Sequence, residues 1–490
     1  MSGDRSRSLD AVIVAGGSVD AVIVGGGPNG LAAAISLARR GRSVTVLEAA
    51  PSVGGGVRSA ELTLPGFVHD VCSAIYPFGR TSPFFRDAAL DRRGLRWVEP
   101  TAPLGHPLDD GSAVLLERSV EDTAAGLGPD ADAYRRLFDP LVRDWDRLLP
   151  DLLAPFHIPL APQGAFRLAR FGRLAIRSAT SLSRRFHGPR ARALLAGAAA
   201  HAQIGLTEPL SGAAALVMIA SAHADGWPFP AGGSGRLADA LARELEALGG
   251  TIETECRVAR LADLPPHRVA LFDVTPRQLL GIAGDALPGG YRRRLSRFRY
   301  GPGVFKLDLA LDGPIPWRAE ELARAGTVHV GGTLEEIVRS EAAVARGRVP
   351  DRPFVLVAQQ SRFDRSRAPA GRETVWAYCH VPNGSSADMT EPILGQIERF
   401  APGFRERILA SATTSPAELE AYNANDVGGD IAGGRMDLGQ LFTRPGLRLF
   451  DPYATGNPGI FLCSASTPPG GGVHGMSGFH AARSAERHLR

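Results

Sequence analysis

Cysteine is scarce in this 490-residue chain: Cys72, Cys256, Cys379 and Cys463 are the only four. None is spaced as Cys-x-x-Cys, which excludes a redox-active dithiol of that type and a cysteine-built zinc site. Scattered cysteines suit a reducing compartment, so a cytoplasmic location is expected. Lysine is scarcer still. Lys and Arg together number 55, yet Lys306 is the sole lysine. Arginine throughout, with abundant Ala and Gly, fits a GC-rich coding sequence, and against that bias the one surviving lysine stands out. Long apolar runs are absent as well. The longest, around Leu210–Ala222, is too short to span a bilayer, and Ala11–Val14 is too short for a signal-peptide core. The net charge of +4 is mild for this length and argues against a nucleic-acid surface. No metal-ligating spacing is present.

What is present starts with a repeat. Asp10-AVIVAGG is followed ten residues later by Asp20-AVIVGGG. Only the second copy runs on into a helix, so residues 1–18 are expected to form a frayed extension. From residue 20 to 48 the pattern is strand, glycine turn, helix, strand, a βαβ unit of a parallel sheet. Helical periodicity dominates 85–225, and 226–285 returns to α/β, with Ser234 as a candidate helix N-cap. Residues 300–440 alternate strands and helices. A last strand, a glycine loop and a helix from about Ser477 close the chain.

Gly25-x-Gly27-x-x-Gly30 follows a strand and opens a helix. In such a turn Gly25 permits the tight bend, Gly27 lets the backbone approach a pyrophosphate, and Gly30 lets the helix pack on the sheet. Pro28 and Asn29 lie at the helix N-terminus, whose free N–H groups attract phosphate. Glu48 ends the second strand, where a carboxylate accepts hydrogen bonds from a ribose 2′-hydroxyl. The whole unit is far more specific than the glycines alone.

Two further segments, Gly54-Gly55-Gly56-Val-Arg58-Ser59 and Thr467-Pro-Pro-Gly470-Gly471-Gly472-Val473-His474, resemble the FAD-dependent oxidoreductases of the phytoene desaturase-like family. So do Leu64-Pro-Gly-Phe-Val-His69-Asp70, Pro230-Ala-Gly-Gly-Ser-Gly235 and Tyr300-Gly-Pro-Gly-Val-Phe-Lys306. The resemblance spans most of residues 20–490 and is weakest over 85–225. It implies FAD as cofactor, with Gly54 and Gly55 against its phosphates and Gly470–Gly472 and Val473 against the flavin ring. Arg58 would add charge there or form a surface ion pair; the family often places its arginine directly after the glycine pair, where this chain has Gly56. The implied fold is α/β: a three-segment Rossmann-type FAD-binding domain (19–84, 226–290 and 441–490) with an inserted α+β substrate domain (85–225 and 291–440).

The implied reaction is hydride transfer from a hydrophobic, isoprenoid or lipid-like substrate to the flavin. Only one dinucleotide fingerprint is complete, so oxygen, a quinone or a carrier is the expected electron acceptor. Candidate catalytic groups are Lys306, His474 and His69. Lys306 could hold a water or an anion by the flavin, or simply pack its stem on a sheet. His69 and Asp70 are adjacent on a strand and should face opposite ways. The rival enzymes are a flavin amine oxidase, which an aromatic cage would favour, and a redox-neutral isomerase or saturase. A regulatory flavoprotein or a GDP-dissociation-inhibitor-like binding protein is the rival of another class. Arg167, Arg170, Arg173, Arg177, Arg184 and Arg185, interleaved with apolar residues, form a basic face that is either solvated or rests on anionic lipid as a peripheral membrane contact.

Overall fold

The computed structural model describes residues 18–159 and 161–490. The first repeat copy and the extension expected before Ser18 lie outside the described residues. Two sheets dominate. The first is parallel and five-stranded, in the order Ile460–Leu462, His267–Phe272, Val19–Val24, Val44–Leu47, Thr251–Glu253. The strands Ile460–Leu462 and Val44–Leu47 are buried throughout, and His267–Phe272 and Val19–Val24 over their last four residues, as a parallel sheet requires, whereas the edge strand Thr251–Glu253 is only partly covered. The helix Pro28–Ala38 starts with proline at its first turn and buries ten of its eleven residues. It is clamped between this sheet and the helix Met476–Leu489.

Glycine is obligatory at both clamps. A Cβ on Gly30 would lie 2.0 Å from the Gly25 carbonyl oxygen, and one on Gly478 would lie 1.8 Å from that of Asn29. The last helix therefore locks directly onto the first.

The second sheet has seven strands, in the order Ile408–Thr414, Gly303–Leu311, Glu373–Val381, Val355–Ala358, Ala325–Val330, Ala102–Pro107, Ala113–Leu116. Its two faces differ, because successive side chains alternate. Phe305, Leu307 and Leu309 join Val375, Ala377 and Cys379 in a core shared with Ile393 and Ile397 of the helix Thr390–Phe400. Each such side chain contributes about 1.5–3 kcal/mol when fully buried. The opposite face carries Lys306, Asp308, Thr327, His329, Trp376 and Tyr378, and turns toward the parallel sheet.

Residues 85–225, expected to be mostly helical, also supply the strands Ala102–Pro107 and Ala113–Leu116. The hairpin between them closes at Asp110-Gly111, with Gly111 at φ +84° and the Asp110 carboxylate accepting from the Ser112 N–H at 2.9 Å. That Asp-Gly pair is a hairpin signal in its own right. Ser234 differs from its expected role too. Its hydroxyl donates to the Ser73 carbonyl at 2.8 Å and makes no cap to the helix Gly235–Ala247.

Candidate active site

The glycine turn is held from behind by two acids. Glu48 Oε2 accepts from the Gly26 N–H at 2.7 Å, and Oε1 accepts from the Ala50 N–H at 2.8 Å. Asp273, at the end of the neighbouring strand, accepts the Gly30 N–H through Oδ2 at 2.8 Å. Burial raises the Asp273 carboxyl to about 7, against the lowering effect of that N–H, and Glu48 adds to the rise. Sequence reasoning did not single out Asp273, because nothing local marks it.

Arg58 reaches Glu48 at 3.3 Å and donates to the Ser52 and Val53 carbonyls, with its guanidinium 5.4 Å from the centre of the Tyr422 ring. It braces the Gly54–Gly56 loop from within the protein. Ser59 donates to Asp70 at 2.8 Å and accepts from the Gly235 N–H at 3.0 Å. It thus organises a neighbouring turn and does not border the cavity.

A cavity of about 350 Å³ opens between the two sheets. Gly27, Pro28, Asn29 and Gly55 border it on one side, and Gly471, Gly472 and Val473 on another. Gly25 and Gly30 shape the turn from inside, and Gly54 packs on Ala238. Gly470 lies against Arg444 and Met436, away from the lining. Arg444 is buried and donates to the carbonyls of Gly433 and Ala465 at 2.8 and 2.9 Å. Burial pushes its guanidinium down to about 10, partly offset by Asp430. It fastens the loop 430–434 to the end of the last strand.

These residues fit a dinucleotide. The Gly27 and Gly55 backbones approach so closely that a Cβ on Gly55 would sit 3.3 Å from the Gly27 Cα. Among the described residues the buried Asn29 Oδ1 has no partner, and Asn29 borders the same cavity.

The three candidate catalytic groups part company. His474 does not border the cavity. Its Nδ1 accepts the Met476 N–H at 3.0 Å, and burial lowers the ring to about 4, so it is a neutral brace at the start of the last helix. Lys306 and His69 converge on a third residue, Asp308. The Lys306 ammonium bonds the Asp308 carboxylate, and both are almost wholly buried. His69 Nδ1 lies 3.4 Å from the other Asp308 oxygen, and its Nε2 is 2.8 Å from the Thr63 hydroxyl. Asp70 points the other way and pairs with Arg367 at 2.7 Å, as strand alternation requires. The cluster lies beside the cavity wall on the same face of the sheet: Lys306 is paired in register with Tyr378, and Asp308 with Trp376, and both aromatics line the cavity.

Three features of the wall come from residues that the sequence did not mark. Asp426 borders the cavity from the loop Asn423–Asp430, and its Oδ2 is buried without a partner. Burial, with Asp430 nearby, raises its carboxyl well above the usual range. Trp376 and Tyr378 meet edge to face at 5.0 Å. On the side of the seven-stranded sheet, His201, Gln203, Trp227 and Thr327 close the cavity. The run Asn423-Ala-Asn-Asp-Val-Gly-Gly-Asp430 is legible as a loop, but not as a wall.

Fold and turn together define a Rossmann-type dinucleotide-binding fold. Residues 23–88 match the NAD(P)-binding Rossmann-like domain family. Over its length the chain is distantly related to two curated proteins. It is 25% identical to rat pyridine nucleotide-disulfide oxidoreductase domain-containing protein 2, covering 95% of this chain and 92% of that protein. It is 26% identical to the phytoene dehydrogenase of Streptomyces griseus, with the same coverage. The fold is shared with putrescine oxidase solved with putrescine bound, at a TM-score of 0.60 and 18% identity, over 96% of this chain and 99% of that one.

Proposed function

We propose that the chain is an FAD-dependent oxidoreductase of the dehydrogenase or desaturase type, acting on an apolar organic substrate. One observation carries this reading: a single cavity is bordered by the dinucleotide turn, by the C-terminal glycine loop and by the polar and aromatic face of the second sheet. FAD, when bound, supplies the hydride acceptor. The backbone N–H groups of Gly27, Asn29 and Gly55 would hold its phosphates, Glu48 its ribose, and Gly471–Val473 its ring. Met218, Leu356, Trp227 and Trp376 give the rest of the cavity apolar walls that exclude water. Asp426 is placed to take the proton released when a carbon–carbon bond is desaturated. A buried carboxyl with a raised pKa is a stronger base once ionised. Lys306 and Asp308 flank the wall on the same sheet face, positioning Tyr378 and Trp376.

The test is the visible absorption of the purified protein before and after acid precipitation. Flavin bands that pass to the supernatant are expected. A protein that stays colourless after incubation with FAD overturns the proposal. A flavin amine oxidase is the second reading, supported by the perpendicular Trp376–Tyr378 pair at the cavity wall. Bleaching under anaerobic conditions by simple alkylamines, but not by uncharged substrates, would establish it instead.

A further inference from the structure

His201 and His329 face each other through their Nε2 atoms at 3.0 Å. Only one of the two can donate. His329 is fully buried, and its Nδ1 has no partner. An orphaned lone pair in the interior costs less than an orphaned N–H, so the hydrogen of His329 belongs on Nε2, pointing at His201. His201 then accepts at Nε2 and carries its own hydrogen on Nδ1. A third ring fits the same logic: His106 Nε2 lies 2.7 Å from the Gly332 carbonyl and so must donate, which leaves its buried Nδ1 as a bare lone pair.

All three rings are neutral. Burial lowers His201 to about 3 and His106 to about 4, and holds His329 well below the usual imidazole range with those two as neighbours. The neutral chain thus ends on a ring that borders the cavity and brings an N–H donor there.

One further polar group meets it. Thr327 sits two residues before His329, on the same face of the same strand, and borders the cavity with its hydroxyl buried and unpartnered. Trp227 stacks its edge on His201 with ring centres 5.9 Å apart and is itself held by the Met218 carbonyl. The ionisable cavity residues Asp273 and Asp426 belong to the loops on the other side.

We infer that His201 and Thr327 form a recognition site for an uncharged oxygen function, a carbonyl on an otherwise apolar ring-sized substrate. The inference rests on the proposed oxidoreductase reading for its meaning, but the site is built from protein groups alone. A carbonyl oxygen accepts from the His201 N–H and the Thr327 hydroxyl. A carboxylate or an ammonium would have to shed its water with no opposite charge to meet it. A plain hydrocarbon would leave the donors unpaired.

The experiment compares four probes of one shape by titration calorimetry: cyclohexyl methyl ketone, ethylcyclohexane, cyclohexanecarboxylate and cyclohexylmethylammonium. The ketone is expected to bind at least about tenfold more tightly than the other three, the scale set by one unpaired buried polar group. Thr327→Val and His201→Phe should each erase most of that preference and leave ethylcyclohexane binding unchanged. Equal binding of ketone and hydrocarbon overturns the inference, as does a tighter charged probe or a variant that weakens both neutral probes alike. Flavin content, read on the same preparations, separates the two claims. A colourless protein that prefers the ketone sinks the flavin reading only, and a yellow protein without the preference sinks this one only.

Discussion

The Asp273 carboxylate accepts the Gly30 N–H at 2.8 Å, across 243 residues of chain. A side-chain acid therefore occupies a donor at the very helix start that would face the cofactor's phosphates.

This relationship sets a pH dependence. Asp273 sits near 7 because burial penalises its charge. Below that value it is protonated and neutral. Above it, a negative charge stands beside the phosphates and repels them. FAD affinity should therefore fall as pH rises through 7, by up to about tenfold per unit. Fluorescence titration of FAD with apoprotein at pH 6 and pH 8.5 reads this directly. Asp273→Asn should flatten the profile, and affinity that is level or rising with pH in the unsubstituted protein would refute the assignment.

Asp426→Asn keeps the shape of the wall but removes its base. Turnover should drop by about 10²- to 10³-fold with flavin content unchanged. Single-turnover bleaching under anaerobic conditions measures it. An unaltered bleaching rate would remove Asp426 from the chemistry.

Lys306→Met strands the Asp308 carboxylate in the interior. A loss of about 3–5 kcal/mol is expected. The double variant Lys306→Met/Asp308→Leu should recover much of it, because the pair leaves together. Urea denaturation of the three proteins tests this, and a double variant no better than the single one would show that the pair is not coupled.

Gly478→Ala forces a methyl into the Asn29 carbonyl, where the helix Met476–Leu489 crosses the helix Pro28–Ala38. Overpacking of this kind costs about 1–3 kcal/mol or more. A lower melting temperature and weaker flavin retention should appear together, since the crossing lies directly behind the dinucleotide turn.

Local features were legible in the sequence; assembled ones were not. The unit from Val19 to Glu48 is contiguous, and every part of it constrains the next, so strand, turn, helix and acid could all be read. The divergence of His69 and Asp70 followed from strand alternation alone. Asp308 escaped notice because a carboxylate in an apolar strand gains meaning only when His69 and Lys306 are folded against it. His201 and His329 are 128 residues apart, and neither position carries a local signal. His474 misled because its neighbours form the glycine loop, whereas its ring turns inward to the next backbone N–H.

The first helix and the last are locked glycine to carbonyl, and the cavity takes its walls from residue 27 at one extreme and residue 473 at the other. The nucleotide pocket is therefore not enclosed until the chain through residue 473 is in place. A product cut short between those two segments would have the fingerprint but not the enclosure.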